Sequence, residues 1–184
     1  MPKDQSVELA VDVRDIVFEG NIWNVVSETF DYSGQTLVRD FIEHPGAVAV
    51  LAVNESNEIL MIRQYRHPVK KYLWEIPAGL LDVAGESHLE AAKRELMEET
   101  FHEAQTWQLL QVFHASPGGN SEQIDIFLAT DVKLATTDYQ REGEEVDMEV
   151  RWIPFEEALK SVLASEIQSP TAVIAILGYA NRTR

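Results

Sequence analysis

The sequence predicts an α/β fold, with helices layered around a mixed sheet and a small antiparallel β segment at the N-terminus. Three observations carry this reading. From residue 47 onward, strand-like segments alternate with three helical ones. The run from Ala47 to Val53 is apolar at every position, the pattern of a strand buried on both faces. Before residue 45, apolar and polar residues instead alternate between turn-forming clusters, as in antiparallel strands.

The elements follow in order. Residues 7–20 alternate around Val11, Val13, Ile16 and Phe18, and residues 22–26 and 36–42 supply two further strands. Turns are expected at Glu19-Gly20-Asn21 and at Asp31-Tyr32-Ser33-Gly34. Three strands are too few to close a core alone. Residues 1–44 are therefore read as a segment that packs on the rest of the chain or on a second subunit, giving a homodimer. His44-Pro45-Gly46 marks the boundary, and residues 45–184 form the main domain. There the apolar run turns at Asn54-Glu55-Ser56-Asn57 into a hairpin partner over 58–65. A basic connection, Arg66 to Tyr72, leads to a short strand at 73–76. Gly79 belongs to a loop that opens the first helix. Strands over 107–114, 123–130 and 148–153 follow, with a polar, mobile loop over 138–147. Pro154 opens a helix to about Ala164, and Ser169-Pro170 caps and starts the last one, over 171–180.

Composition narrows the function. The 184 residues suit one domain with a small extension, and 45% hydrophobic content is enough for a real core. A net charge of −16 argues against nucleic acid as partner, because that affinity rests on cations meeting phosphates. No apolar run is long enough for a membrane span, and Met1–Ser6 has neither the basic nor the apolar region of a signal peptide. The absence of cysteine excludes disulfides and thiolate–metal sites and agrees with a cytoplasmic location. The acidity would also repel a small phosphorylated substrate, so binding one requires local arginines and metal ions.

The most informative stretch is Gly79 to His102, GLLDVAGESHLEAAKRELMEETFH. At about 100° per residue, Glu95, Glu98 and Glu99 share one arc of a helix, and Leu89, Ala92 and Leu96 share the neighbouring one. Each like-charge pair at that spacing costs roughly 0.2–0.5 kcal/mol. A hard divalent cation with oxygen ligands reverses that sign. Taken alone, such a run in an acid-rich chain also reads as a solvated face. The order of the residues decides. Glu86, seven residues, then Arg94-Glu95-Leu96-x-Glu98-Glu99 resembles the motif of the Nudix hydrolases, which cleave a nucleoside diphosphate linked to another group. There are two departures. Six residues rather than five separate Gly79 from Glu86, and Phe101-His102 stand where the motif has glycine and an aliphatic residue.

The resemblance covers roughly residues 45–184 and implies the Nudix α/β/α sandwich. It implies Glu95 and Glu99 as ligands of Mg²⁺ or Mn²⁺, completed by the Ala78 carbonyl. Glu98 is a nearby ligand or an acceptor just behind the metal. Arg94 would hold the helix carboxylates in place, and Glu86 would act through Arg94 or water. Ile62-Arg63-Gln64-Tyr65-Arg66, Trp74-Glu75-Ile76-Pro77-Ala78-Gly79, and Pro117, fifteen residues beyond His102, look like the ADP-ribose and ADP-sugar pyrophosphatases. In that group Arg66 would meet phosphates, Gly118 would shape the pocket, and Ser116 and Glu122 would contact the terminal ribose. A glutamate of the loop before the last strand would take a proton from the attacking water. Glu144 fits that pattern best, with Glu145 next. The implied reaction is hydrolysis of ADP-ribose to AMP and ribose 5-phosphate. Another nucleoside diphosphate sugar or a dinucleotide, a module that binds such a sugar without cleaving it, and a structural acidic domain are the alternatives. Trp23 and Phe41 read as packing residues rather than as platforms for adenine.

Overall fold

The run at 47–53 forms the strand on which the main domain is built. In the computed structural model, which describes residues 1–141 and 147–182, β4 (Ala47–Ala52) is buried at all six positions. Its side chains alternate between two cores. Ala47, Ala49 and Leu51 face a core shared with Ile126 of β9 (Gln123–Leu134) and with the helices α2 (Phe155–Leu163) and α3 (Pro170–Arg182). Val48, Val50 and Ala52 face Ala91, Ala92 and Leu96 of α1 (His88–Thr100). One helix therefore covers one face and two cover the other, giving an α/β/α sandwich.

Two sheets, rather than one, fill the middle layer. The mixed sheet has the order β7-β4-β9-β8, with β7 at Ala78–Leu80, β8 at His102–His114, and β4 parallel to β9. The second has the order β10-β5-β6, all antiparallel, from β10 (Glu149–Pro154), β5 (Glu58–Arg66) and β6 (Lys71–Glu75). Several boundaries differ from the sequence reading, β6 among them, which begins at Lys71 inside the expected basic connection. Gly79 lies in β7, paired with Val48, and not in a loop. β8 begins at His102, because its first half pairs with an extended β9 reaching Leu134. Val132 and Ala104 there pack on the α1 core, an interaction that the polar local sequence hides.

The chain has two compact units, and residues 1–45 with 116–122 form the smaller. In it β1 (Val11–Glu19), β2 (Asn24–Tyr32) and β3 (Gln35–Glu43) make an antiparallel sheet in that order. β2 runs through Asp31 and Tyr32, where a turn was expected. Two residues with positive φ, Ser33 at 57° and Gly34 at 81°, suffice for the hairpin. Arg14 crosses the sheet to Glu28 at 3.0 Å and Glu43 at 2.7 Å. The 116–122 loop is held along β3 by Ile42 N–H to the Gly119 carbonyl and Ser121 N–H to the Ile42 carbonyl, each 3.0 Å.

Ile126 is fully buried at the centre of the mixed sheet. Its truncation to alanine should lower the unfolding free energy by roughly 2–5 kcal/mol in a denaturant titration, with the fold retained.

Candidate active site on the carboxylate face of the first helix

Helix α1 is oriented before its charges matter. Ser87 caps it, accepting from Glu90 N–H at 3.3 Å. Ala91, Ala92 and Leu96 are fully buried against β4. That packing rolls Glu95 and Glu99, one turn apart, toward β7, where they are only 8% and 4% exposed. Glu99 Oε2 accepts from Ala78 N–H at 2.8 Å. The Glu95 carboxylate occupies the space beside Gly79. A Cβ added at Gly79 would lie 2.0 Å from Glu95 Cδ. The glycine is needed for room, since its φ is not in the left-handed region.

Arg94 joins the carboxylates. Its Nε and Nη2 reach Glu86 at 3.1 and 3.0 Å, and its Nη1 contacts Glu95 and also Glu98, the latter at 3.3 Å. Hydrogen bonds to Glu86 raise the guanidinium pKa, Glu95 adds to the rise, and burial opposes it. The same pair lowers the Glu86 carboxyl from its ordinary value of 4.5. The helix ends at Thr100 with Phe101 itself in the left-handed cap, at φ 59° and ψ 31°.

The other residues singled out by sequence lie as follows. Arg66 is bound through Nε and Nη2 to the two oxygens of buried Glu75, at 3.0 and 2.8 Å. Glu75, the partner that fixes Arg66, was given no role by the sequence; in the β5–β6 ladder it stands opposite Ile62, four residues along β5 from Arg66. Ser116 and Gly118 are exposed in the smaller unit. There the Ser116 carbonyl accepts from Gly119 and Asn120 N–H, both at 3.0 Å. Glu122 lies 3.6 Å from His44 Nε2. Trp23 packs against His44, with ring centroids 5.5 Å apart. Phe41 lines a cavity of about 440 Å³ in the same unit, with Phe30, Arg39 and Gly118. Phe30 and Arg39 escaped the sequence reading because their alternation along β2 and β3 is that of any strand. Glu144 and Glu145 lie outside the described residues.

Among the described residues, no three His, Asp or Glu side chains form a metal cage. The donors on the α1 face are nonetheless all oxygen, from Glu95, Glu98 and Glu99, and the missing Cβ at Gly79 lets one of them reach the β7 backbone. This set fits Mg²⁺, which is held by one or two carboxylates and takes its remaining ligands from waters and substrate phosphates. Among the described residues, no helix is long and apolar enough to cross a membrane.

The lowered Glu86 pKa gives a signed expectation. A depressed carboxyl stabilises the fold above its unfolded pKa, and the contribution is lost as pH falls through the folded value. Wild type should melt higher than Glu86→Gln at neutral pH. The gap should close as the pH drops below about 4.5, in melting curves recorded across pH.

Comparison with known proteins follows the same outline. A family model described as "NUDIX domain" matches residues 43–172. An ADP-ribose pyrophosphatase of Mycobacterium tuberculosis is 43% identical over 145 residues, 78% of this chain and 69% of that protein. One of Bacillus subtilis is 34% identical over 174 residues, 94% of this chain and 92% of that protein. A crystal structure described as an ADP compounds hydrolase superposes with a TM-score of 0.78 at 20% identity, covering 98% of this chain and 96% of that one, and supports the fold.

Proposed function

The chain belongs to the Nudix family, and we propose that it is a divalent-cation-dependent pyrophosphatase converting ADP-ribose to AMP and ribose 5-phosphate. The observation that carries the proposal is the α1 face. Glu95 and Glu99 are buried against Gly79 and Ala78, with Arg94 shared among Glu86, Glu95 and Glu98. The full-length likeness to an ADP-ribose pyrophosphatase supports the substrate.

Glu95, Glu99 and the Ala78 carbonyl would hold Mg²⁺, or Mn²⁺ in its place, with Glu98 beside them. When bound, such an ion neutralises pyrophosphate charge and makes water a better nucleophile at neutral pH. The chain's own residues do the rest. Arg94 keeps the carboxylate rotamers fixed and offsets their repulsion before any cation arrives. Glu75 holds the Arg66 guanidinium in one plane, ready for phosphate oxygens. Ser116 and Glu122 serve the terminal ribose, a carboxylate suiting sugar hydroxyls, and Gly118 shapes the pocket. Glu144, or Glu145 next to it, takes the proton of the attacking water. The cysteine-free chain suits a reducing cytoplasm.

We propose further that residues 1–44 form a dimer contact. Every residue of β1 is exposed, including Val11, Val13, Ile16 and Phe18, which is more apolar surface than a lone edge strand usually leaves uncovered. Sedimentation should give a dimer mass, and a monomer at micromolar concentration would reject this part.

Hydrolysis assays with Mg²⁺ across ADP-ribose, ADP-sugars, GDP-sugars and dinucleotides test the substrate. ADP-ribose should be turned over fastest, and negligible turnover beside rapid cleavage of another would reassign it. Arg94→Lys keeps the charge but loses the planar fork, so activity should fall roughly 10–100-fold with a folded circular dichroism spectrum.

A further inference from the structure

Phe101, the residue that departs from the motif, has a specific contact. It closes α1 in the left-handed conformation, its N–H donating to the Met97 carbonyl at 2.8 Å. Glycine adopts that conformation without strain, and a Cβ does not. What phenylalanine adds is a ring. The Arg141 guanidinium carbon lies 4.5 Å from the ring centroid, within cation–π range. Arg141 Nη1 also donates to the carbonyl of buried Met148 at 3.3 Å, while its buried Nε has no hydrogen-bond partner among the described residues. With Nε dry, the guanidinium gains from the ring face beside it. The last turn of α1 also carries Glu98 and Glu99 and no basic residue, so a cation over its cap meets the negative end of the helix dipole.

The contact joins three points: the end of the carboxylate helix, the residue that precedes 142–146, and the backbone just beyond that segment. We propose that Phe101 and Arg141 are a positioning pair for hydrolysis, anchoring the chain on both sides of residues 142–146 to the end of α1. The proposal rests on the pyrophosphatase reading. It assigns the pair no contact with substrate.

The test is a double-mutant cycle on the full chain with ADP-ribose and saturating Mg²⁺. Phe101→Gly removes the ring and relieves the cap, so the variant should fold. Phe101→Leu keeps bulk without a ring, and Phe101→Tyr keeps the ring. Phe101→Gly, Phe101→Leu and Arg141→Ala should each lower kcat about ten-fold, with KM within about two-fold. Phe101→Leu combined with Arg141→Ala should be no worse than the worse single variant, and Phe101→Tyr should stay within about two-fold of wild type. Wild-type kcat in Phe101→Gly, or single effects that multiply in the double variant, would overturn the pair. Loss confined to KM would overturn the positioning role. Melting temperatures of the same four-member cycle judge the contact separately: non-additive losses support it and additive ones refute it. Absence of turnover by wild type on any nucleoside diphosphate sugar would instead overturn the functional reading, and the positioning role with it.

Discussion

One guanidinium makes the rest of this site possible. Glu86, Glu95 and Glu98 would repel one another in a partly dry environment, and Arg94 reaches all three. Its charge is held firmly, because the contacts with Glu86 and Glu95 favour the protonated form. The remaining carboxylate, Glu99, is stabilised differently, by the backbone N–H of Ala78. The α1 face is thus assembled by the protein itself, with one guanidinium among four carboxylates, and it keeps the net negative charge that attracts a cation. On the proposed reading, a divalent cation arriving there would meet ligands already placed, and binding would not have to order them.

The placement depends on the sandwich. β4 is buried on both faces, so α1 is pressed against one side by Val48 and Val50 while α2 and α3 close the other. β7 is short, yet its pairing with β4 brings Ala78 and Gly79 under the helix at a fixed register. The apolar packing of Ala91, Ala92 and Leu96 then determines which acids point at that backbone. A rotation of α1 by one residue, about 100°, would exchange the buried carboxylates for core positions, so the hydrophobic arc and the chemical arc constrain each other.

Much of this was legible in the sequence, for physical reasons that differ from element to element. Ala47–Val53 could be read because burial on both faces leaves no polar position. The arc of Glu95, Glu98 and Glu99 could be read because helical geometry is regular. Gly79 could not be placed in a strand: β7 has three residues and follows Pro77, and its pairing is set by β4, which lies thirty residues earlier. The extension of β8 back to His102 was hidden because that half is largely exposed and polar, and only its pairing with β9 defines it. The end of α1 could not be read, because phenylalanine takes a left-handed cap only at a steric cost. The structure shows the same left-handed ending that glycine would give, with phenylalanine in it. Arg66 was visible as a basic residue in an acidic chain, but its partner Glu75 required the β5–β6 register.

The central claim is that the α1 carboxylates, seated against Ala78 and Gly79, constitute a divalent-cation site. Gly79→Ala addresses it with the smallest change, because the three atoms nearest the added methyl all belong to the Glu95 carboxylate, which must move. Mn²⁺ binding followed by electron paramagnetic resonance, for wild type and this variant, reads the site without reference to any substrate. The account predicts saturable binding in wild type and at least a roughly ten-fold weaker affinity in a folded Gly79→Ala protein. Equal Mn²⁺ affinity in the two proteins would contradict it.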